Sequence, residues 1–333
     1  MIANLSLNFQ LGYAGIPNFG LVFAFTGGAY AVGWLPVRLC MGLFHINSDL
    51  GVDIIKNNAI IMSQINFHLQ TQPLIGLAVL GITLIVAAMI GAVLGFISAY
   101  PAIRLRTDYL AITLLALGDV LYIFGINYEP LVGGVLGVQV PDVWAWLGDK
   151  RYSMVSLILM LFALAVLVYV SFIGNSPLGR TLRAIRDDEV AASSLGKNVV
   201  KLRIEALVIG SMICSIGGAL YAFYTCGVCP TAYGRMDWTF LPWLMVVIGG
   251  IGNNLGATVG TITFISLRKL IIFYKELFAF LPFDVVWMEY LILGTALILV
   301  LLFRPAGLIK EKSSKTLPES KLKTIISKVL GGK

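Results

Sequence analysis

Residues 174–203 read Gly-Asn-Ser-Pro-Leu-Gly-Arg-Thr-Leu-Arg-Ala-Ile-Arg-Asp-Asp-Glu-Val-Ala-Ala-Ser-Ser-Leu-Gly-Lys-Asn-Val-Val-Lys-Leu-Arg. This is the only long, densely charged stretch between apolar blocks, with six basic and three acidic residues. The chain before it, 153–173, carries no charge, and the chain after it, 204–223, carries only Glu205. A polar segment between two apolar runs of bilayer length is a loop between two membrane spans.

The loop also has a helical pattern of its own. Leu178, Leu182 and Ile185 are spaced i, i+4, i+7, which places them on one face of a short amphipathic helix. The arginines of this segment lie off that face. Two interpretations are open: the helix lies at the lipid headgroups, or it docks a soluble partner protein.

The composition of the whole chain predicts its class. Of 333 residues, 58% are hydrophobic and only 12% are charged, against about 25% charged residues in soluble domains. Apolar runs of bilayer length recur along the chain, and its 35 glycines suit close helix packing in lipid. The sequence therefore predicts an all-α polytopic membrane protein with about eight to ten transmembrane helices.

The apolar runs place the spans approximately. We expect spans near 18–37, 74–99, 109–126, 153–173, 204–225, 240–251, 255–272 and 286–303. Pro101 is expected to end the second of these and Asp108 to cap the third. Residues 1–16 are too short and polar for a secure span, and 38–73 is expected to hold a short amphipathic piece on the membrane. Whether 240–272 crosses as two short helices or folds back stays open.

The basic residues predict the orientation. Sixteen of the 24 Lys and Arg residues lie around Arg104 and Arg106, in the 174–203 loop, and from Arg304 onward. Alternation of the spans puts all three regions on one side, which the positive-inside rule makes cytoplasmic. We therefore expect one transmembrane domain over 1–305, with a loop at 175–203, and a basic cytoplasmic tail over 306–333. The net charge of +7 resides mostly in that tail and does not indicate nucleic-acid binding.

Several enzyme signatures are missing from the sequence. It contains no G-x-x-x-x-G-K-[ST] phosphate loop, no H-E-x-x-H and no G-x-S-x-G. Cys226 and Cys229 form a C-x-x-C pair, but two further ligands at zinc spacing are lacking. Ordinary buried or interfacial thiols are the favoured interpretation and a local disulfide the other. We expect no metal site and no catalytic residue in this chain.

Two features are candidates for a transport pathway. Asp119 lies in the middle of a predicted span, where an ionisable group is either functional or bonded to neighbouring helix hydroxyls or backbone. Glycine-rich breaks interrupt the apolar pattern, and such breaks either line a cavity or form tight interhelical turns, the second being slightly favoured for the later break. The residues of these breaks are Gly12, Gly15 and Asn18 near the start, and Gly249, Gly250, Gly252 and Asn253 later.

Five motifs together carry a family resemblance. They are Asn8-Phe9-Gln10-Leu11-Gly12-Tyr13-Ala14-Gly15, the loop segments 177–180, 183–192 and 195–198, Gly217-Gly218-Ala219-Leu220-Tyr221-Ala222, residues 246–253, and Arg304-Pro305-Ala306-Gly307-Leu308. In this order they resemble permeases of bacterial and archaeal branched-chain amino acid ABC transporters, with the M-type permease the better match of the pair. Urea and amide permeases share much of this pattern, so the substrate stays open between these classes.

The resemblance implies a fold and partners. The fold would be the all-helical importer fold of the vitamin B12 and ribose permease type (type II). The partners would be a homologous H-type permease, two cytoplasmic ATPase subunits and an extracytoplasmic solute-binding protein, all at a prokaryotic plasma membrane. The ATPase subunits would bind the ATP, so no cofactor is expected in this chain.

The resemblance also assigns a role to the 175–203 loop, which would dock the ATPase. Its charges would contact a complementary cleft, and its small residues, part of a degenerate E-A-A…G loop, would permit close approach. The residues concerned are Arg183, Arg186, Asp187, Asp188, Glu189, Ala191, Ala192 and Gly196. The alternative function is a stand-alone, ion-coupled secondary transporter that uses Asp119.

Overall fold

Long apolar helices make up most of the chain. The computed structural model describes residues 1–46, 54–105, 107–274, 291, 294–295, 298–300, 302–304 and 306–311. Its helices are α1 (Ile2–Leu7), α2 (Leu21–Phe44), α3 (Asn58–Thr71), α4 (Pro73–Arg104), α5 (Thr107–Asn127), α6 (Glu129–Val132), α7 (Arg151–Asn175), α8 (Pro177–Asp187), α9 (Glu189–Ser194), α10 (Val199–Thr225), α11 (Leu241–Gly249) and α12 (Asn254–Phe273). Two short antiparallel strands, β1 (Val138–Gln139) and β2 (Gly227–Val228), pair with each other.

The membrane-spanning character of the chain is confirmed. Within the described ranges, five helices are long and apolar enough to cross a bilayer: α4, α5, α7, α10 and α12. Helix α2 has 24 residues and is largely buried. Helices α4 and α7 leave large apolar side chains exposed, among them Phe96, Val168 and Phe172, as expected of surfaces that face lipid. The predicted span at 286–303 and the tail beyond 311 lie largely outside the described residues.

Helix α10 forms the centre of the bundle, packed on α2 and α4 through small residues. A Cβ at Gly28 of α2 would overlap the Ser215 carbonyl oxygen, and one at Gly91 of α4 would lie 2.5 Å from the Ser215 Cβ. In the same interface of α2 with α10, a Cβ at Gly218 would overlap the Phe25 carbonyl. The helices therefore meet backbone to backbone, the arrangement that glycine allows in lipid.

The polar N-terminal segment is buried inside the bundle. Helix α1 continues as a π-helical turn over Asn8–Tyr13. Its polar side chains bond to other helices: Asn4 donates to the Thr261 hydroxyl at 2.6 Å, and Ser6 donates to the Gly210 carbonyl at 2.7 Å. The polarity that made this segment a doubtful span therefore serves contacts within the protein.

Three predicted boundaries were wrong. Pro101 does not end α4, which continues to Arg104: a proline disturbs the turn before it, but its own carbonyl is free to accept, and here it accepts from the Leu105 N–H. Asp108 lies inside the first turn of α5 rather than at its cap. Helix α10 begins at Val199 rather than near 204, because Asn198 caps it by accepting from the Lys201 N–H at 3.0 Å.

The segment 38–73 contains a short helix, but the outer face of this helix carries the exposed apolar side chains of Ile60 and Phe67, so its amphipathic character is not confirmed, and its position on the membrane stays a prediction. Helix α2 extends to Phe44, and α3 follows with Ile61, Ile65 and Leu69 buried on one face. Residues 47–53 and 106 lie outside the described part of the chain. We call the end of the bundle that carries α3, β1 and β2 the far end, and the end that carries α8 and α9 the loop end.

Candidate coupling site at the loop end

The charged loop forms two short helices, α8 and α9. Ser176 caps α8, with its hydroxyl accepting from the Gly179 N–H at 3.4 Å, and Pro177 occupies the first turn. Leu182 and Ile185 are buried and Leu178 is partly buried, which confirms the amphipathic face predicted from their spacing.

Both ends of helix α9 are capped by local hydrogen bonds. The Asp188 carboxylate accepts from the backbone N–H groups of Val190 and Ala191 at 2.9 and 3.0 Å. At the other end Gly196 has φ +76°, and the N–H of Lys197 donates to the Ala192 carbonyl at 3.2 Å. This is a Schellman ending, for which glycine is suited because it accepts positive φ without strain.

Two arginines of α8 turn toward the protein. The Arg186 guanidinium donates to the Gly12 carbonyl and lies 3.0 Å from the Glu311 carboxylate. Arg183 lies 3.5 Å from Glu311, with its guanidinium 4.6 Å from the centre of the Tyr13 ring. These side chains of the predicted docking set are therefore engaged within the chain.

The remaining residues of the predicted docking set lie mostly at the surface. Asp187 is exposed and lies 3.1 Å from Arg186, and Glu189 pairs with Arg203 at 2.8 Å. Ala191 is exposed, whereas Ala192 is buried against Ile185 and Val199. Asp188 and Gly196 are exposed as well, and each shapes an end of α9.

The charge of Arg186 is stabilised by its neighbours. Burial lowers the pKa of the Arg186 guanidinium, but hydrogen bonds and charge from Glu311, and then from Asp187, outweigh burial and raise the pKa above its ordinary value. Arg186 is thus a permanent cation between α8 and the C-terminal segment.

The two glycine-rich breaks contact each other at this site. A Cβ at Gly12 would lie 2.5 Å from the Gly252 nitrogen, and the Gly252 N–H donates to the Asn8 side-chain oxygen at 2.9 Å. Gly15 has φ +69° and faces Arg186, whose Cγ would lie 2.7 Å from an added Cβ. Two segments separated by some 240 residues in the sequence therefore form one backbone junction.

The later break is a tight turn between two antiparallel helices. Gly250 and Gly252 have φ +118° and +82°, and Asn253 caps α12 by accepting from Leu255 and Gly256 N–H groups at 3.0 and 3.2 Å. Helix α11 has nine residues after a five-residue π-helical turn, about 21 Å in total and shorter than the bilayer core of about 30 Å. The turn interpretation fits this geometry, and the turn also lines a cavity of about 170 Å³ with Tyr13 and Arg183.

The C-terminal segment Leu308–Glu311 completes the site. The N–H of Leu308 donates to the Ile248 carbonyl at 2.9 Å, and that of Ile309 to the Gly249 carbonyl at 3.0 Å. Asn253 donates to the Lys310 carbonyl at 3.0 Å. Sequence reasoning missed Glu311, although this residue is one of only two acids in the basic tail and lies just after the Arg304–Leu308 motif, which was a weak signal.

Two predicted candidates play other parts. Asn18 is buried and donates to the Gln10 side-chain oxygen at 2.7 Å, which fixes the chain after the first break. Asp119 pairs with Arg235 at 2.8 Å and is partly exposed, a partner that neither interpretation of this residue anticipated.

Cys226 and Cys229 are free thiols. Among the residues that the structure describes, no three His, Cys, Asp or Glu side chains are grouped to hold a metal ion.

Comparison with known proteins agrees with these features. The family described as "Branched-chain amino acid transport system / permease component" matches residues 1–301. The probable branched-chain amino acid transport permease protein LivM of Methanocaldococcus jannaschii is 38% identical over 96% of this chain and 93% of its own length. The high-affinity LivM permease of Escherichia coli is 27% identical over 72% of this chain and 58% of its own length.

More distant matches extend the same picture. The LivH permease of Escherichia coli is 30% identical over 56% of this chain and 60% of its own length. No solved structure matches the chain. Because the family match spans nearly the whole transmembrane region, the chain belongs to the family of branched-chain amino acid transport system permease components.

Proposed function

We propose that this chain is the M-type permease subunit of an ABC importer for branched-chain amino acids. It pairs with an H-type permease, receives solute from an extracytoplasmic binding protein and is driven by two separate ATPase subunits. The relatives named LivM and LivH support the pairing. The chain's own sequence lacks a phosphate loop, so another chain hydrolyses the ATP.

The exposed surface of α9 carries the proposal. Val190 and Leu195 are 74% and 80% exposed at the loop end, beside the acidic side chains of Asp187 and Glu189. Large apolar side chains on a polar, charged loop indicate a surface that a protein partner covers. The docking surface for the ATPase is accordingly the outer side of α9. Arg183 and Arg186 of α8, on the inner side, attach the loop to the rest of the chain.

The orientation follows from the same proposal. An ATPase acts in the cytoplasm, so the loop end faces the cytoplasm and the far end meets the binding protein. Residues 306–311 lie at the loop end through the contacts of Glu311 with Arg183 and Arg186, so in this proposal they are cytoplasmic. The positive-inside pattern of the basic residues supports this orientation.

Movement of the ATPases would be transmitted to the transmembrane helices through the inner face of α8, which carries Arg183 and Arg186. Closure of the ATPases on ATP would move α8 and α9, and α8 contacts the Gly12 break directly through Arg186. That break lies on the α11–α12 turn. A movement of the loop would therefore reach two interrupted helices, and opening between the two permeases would let the solute pass.

The substrate class rests on the degree of similarity. The match to the archaeal LivM covers nearly the whole of both proteins, whereas the guanosine permease protein NupQ of Bacillus subtilis is 27% identical over 44% of this chain. Branched-chain amino acids are therefore the substrates to test first, with guanosine, urea and short amides as competitors in the same uptake assay. The ion-coupled alternative gains no support from Asp119, whose carboxylate is paired with Arg235.

Double replacement of Val190 and Leu195 by Glu tests the docking surface. Both side chains are exposed, so membrane insertion should persist, but charges in an apolar interface should reduce ATPase copurification and leucine uptake roughly tenfold or more. Leu136→Glu is the matched control for ATPase copurification, because Leu136 is 95% exposed at the end of the bundle away from α9. Unchanged ATPase copurification in the double variant would contradict the proposed docking surface.

A further inference from the structure

We infer that Glu311 is a positioning residue that transmits movement of the coupling helix α8 to the α11–α12 turn. The inference rests on the proposed function, because it assigns a role within ATP-driven transport. It adds a residue, a set of contacts and a direction of force that the family assignment does not contain.

Glu311 joins three separate segments through one carboxylate. Its oxygens lie 3.0 Å from Arg186 and 3.5 Å from Arg183, both on α8. The same carboxylate lies against Gly252, where an added Cβ would be 2.7 Å from its carbon. The acid therefore sits between the inner face of α8 and the turn that joins α11 to α12.

Backbone bonds fix the position from which Glu311 reaches α8. Leu308 and Ile309 donate to the carbonyls of Ile248 and Gly249, the last residues of α11, at 2.9 and 3.0 Å. Asn253 in the turn donates to the Lys310 carbonyl at 3.0 Å. Because these bonds attach 308–310 to the end of α11 and to the turn, Glu311 moves with that hairpin and not with α8.

The ion pairs bridge two separate elements, α8 and the α11–α12 hairpin. The Glu311 side chain is only 26% exposed, and two cations share it. Charge-assisted bonds of this kind are strong and directional. A displacement of α8 thus pulls on the α11–α12 turn through side-chain contacts, while α8 itself is bonded to Gly12 through Arg186.

Glu311→Gln tests this role in the complete transporter in proteoliposomes. The variant keeps the volume of the side chain and loses its charge, so ATPase subunits should still copurify. The readout is leucine taken up per ATP hydrolysed, which should fall about fivefold or more, the lower end of typical coupling effects between sites. Glu311→Asp keeps the charge on a shorter arm and should give an intermediate ratio.

Controls separate transmission from folding and docking. Glu205→Gln is matched, because Glu205 is also a loop-end carboxylate but pairs only weakly with Lys201 at 3.9 Å, and its ratio should stay at the wild-type value. Arg183→Gln combined with Glu311→Gln should lower the ratio by less than the product of the two single effects, because both remove the Arg183–Glu311 contact.

The possible results separate the role of Glu311 from the proposed function of the chain. An unchanged uptake per ATP in Glu311→Gln with ATPase still bound would overturn the inference alone. So would a loss of uptake in proportion to lost ATPase, which would make Glu311 a docking residue. A wild-type chain that copurifies no ATPase would instead contradict the proposed function. If Glu311→Gln fails to accumulate in the membrane, Glu311→Asp supplies the ratio, and a wild-type ratio there overturns the inference.

Discussion

The two ends of the bundle are held together by different kinds of contact. At the loop end, Glu311 joins α8 to the α11–α12 turn through ion pairs with Arg183 and Arg186. At the far end, β1 pairs with β2 through the backbone, and the Asn58 side chain accepts from the Gln139 N–H at 2.8 Å. Helix α8 is thus attached to the α11–α12 turn by long side chains, whereas β1 and β2 at the far end are joined by short backbone bonds.

The two kinds of contact differ in how much movement they tolerate. Side-chain ion pairs can lengthen or exchange partners while the helices move, whereas a backbone pair keeps one geometry or breaks. The β1–β2 contact should therefore hold its geometry under load, and the contact of α8 with the α11–α12 turn should tolerate movement. Substitutions in the two regions test this contrast.

Gly137→Ala should have the largest effect on stability. Gly137 has φ +74° and ψ −176°, a region occupied essentially only by glycine, and an added Cβ would lie 2.5 Å from the Val228 carbonyl oxygen. Because that neighbour is backbone, we expect a loss of about 3 kcal/mol or more in the free energy of unfolding. Denaturation in mixed detergent micelles measures it.

Gly252→Ala is the loop-end counterpart of that change. Gly252 also has positive φ, but the nearest atoms to an added Cβ belong to the movable Glu311 side chain. We expect a smaller loss of about 1–2 kcal/mol. Gly196→Ala, with open space around it, controls for the backbone strain. Equal losses at Gly137 and Gly252 would remove the contrast between the two ends.

Arg151→Ala tests the main ion pair of the far end. Arg151 lies 2.5 Å from Asp142, both largely buried, and its other nitrogen donates to the Tyr224 carbonyl and to the Cys226 sulfur. Its removal leaves the Asp142 carboxylate without its cation, and we expect about 2 kcal/mol of destabilisation. Neighbouring Lys150 is exposed, so Lys150→Ala should change stability by less than about 0.5 kcal/mol. Similar losses in both variants would contradict a structural role for this pair.

The Asp188 variants separate charge from capping at the loop end. Asp188→Ala removes the acceptor for two N–H groups of α9 and should cost about 1 kcal/mol of local stability. Asp188→Ser keeps a capping oxygen and should retain ATPase copurification better than Asp188→Ala. Copurification lost equally in both variants would mean that the carboxylate charge, and not the cap, is what the partner needs.

Local patterns predicted the helices well and the site only in part. The apolar runs located α4, α5, α7 and α10 to within a few residues, because length and composition act locally. The spacing of Leu178, Leu182 and Ile185 gave the buried face of α8 for the same reason. Errors occurred at the ends of helices, where capping by one residue such as Asn198 decides the boundary.

Local sequence patterns could not predict the long-range contacts that form the coupling site. Arg186 and Glu311 are 125 residues apart, and an acid in a basic tail does not indicate which arginine it pairs with. The polar residues of 1–16 made this segment a doubtful span, whereas Asn8, in the π-helical turn after α1, donates to the Asn254 side-chain oxygen at 2.9 Å inside the bundle. Tertiary partners decide such positions, so the sequence alone placed both glycine breaks but not their contact.

The smallest expected effect is chemical, and it reports how tightly the far end is closed. Burial, and then the nearby Asp142 carboxylate, raise the pKa of the Cys226 thiol to about 11, although Arg151 acts in the opposite direction. In Cys229→Ser protein the maleimide reaction at Cys226 should therefore be slow at pH 8, where about one thiol in a thousand is ionised. Its rate should rise about tenfold per pH unit up to pH 10, because the thiolate fraction grows in that proportion below the pKa.

Asp142→Asn removes a charge that raises the pKa of the Cys226 thiol and should speed the reaction at pH 8. A rate that levels off by pH 9 would show an ordinary thiol and a far end more open than its backbone pairing implies.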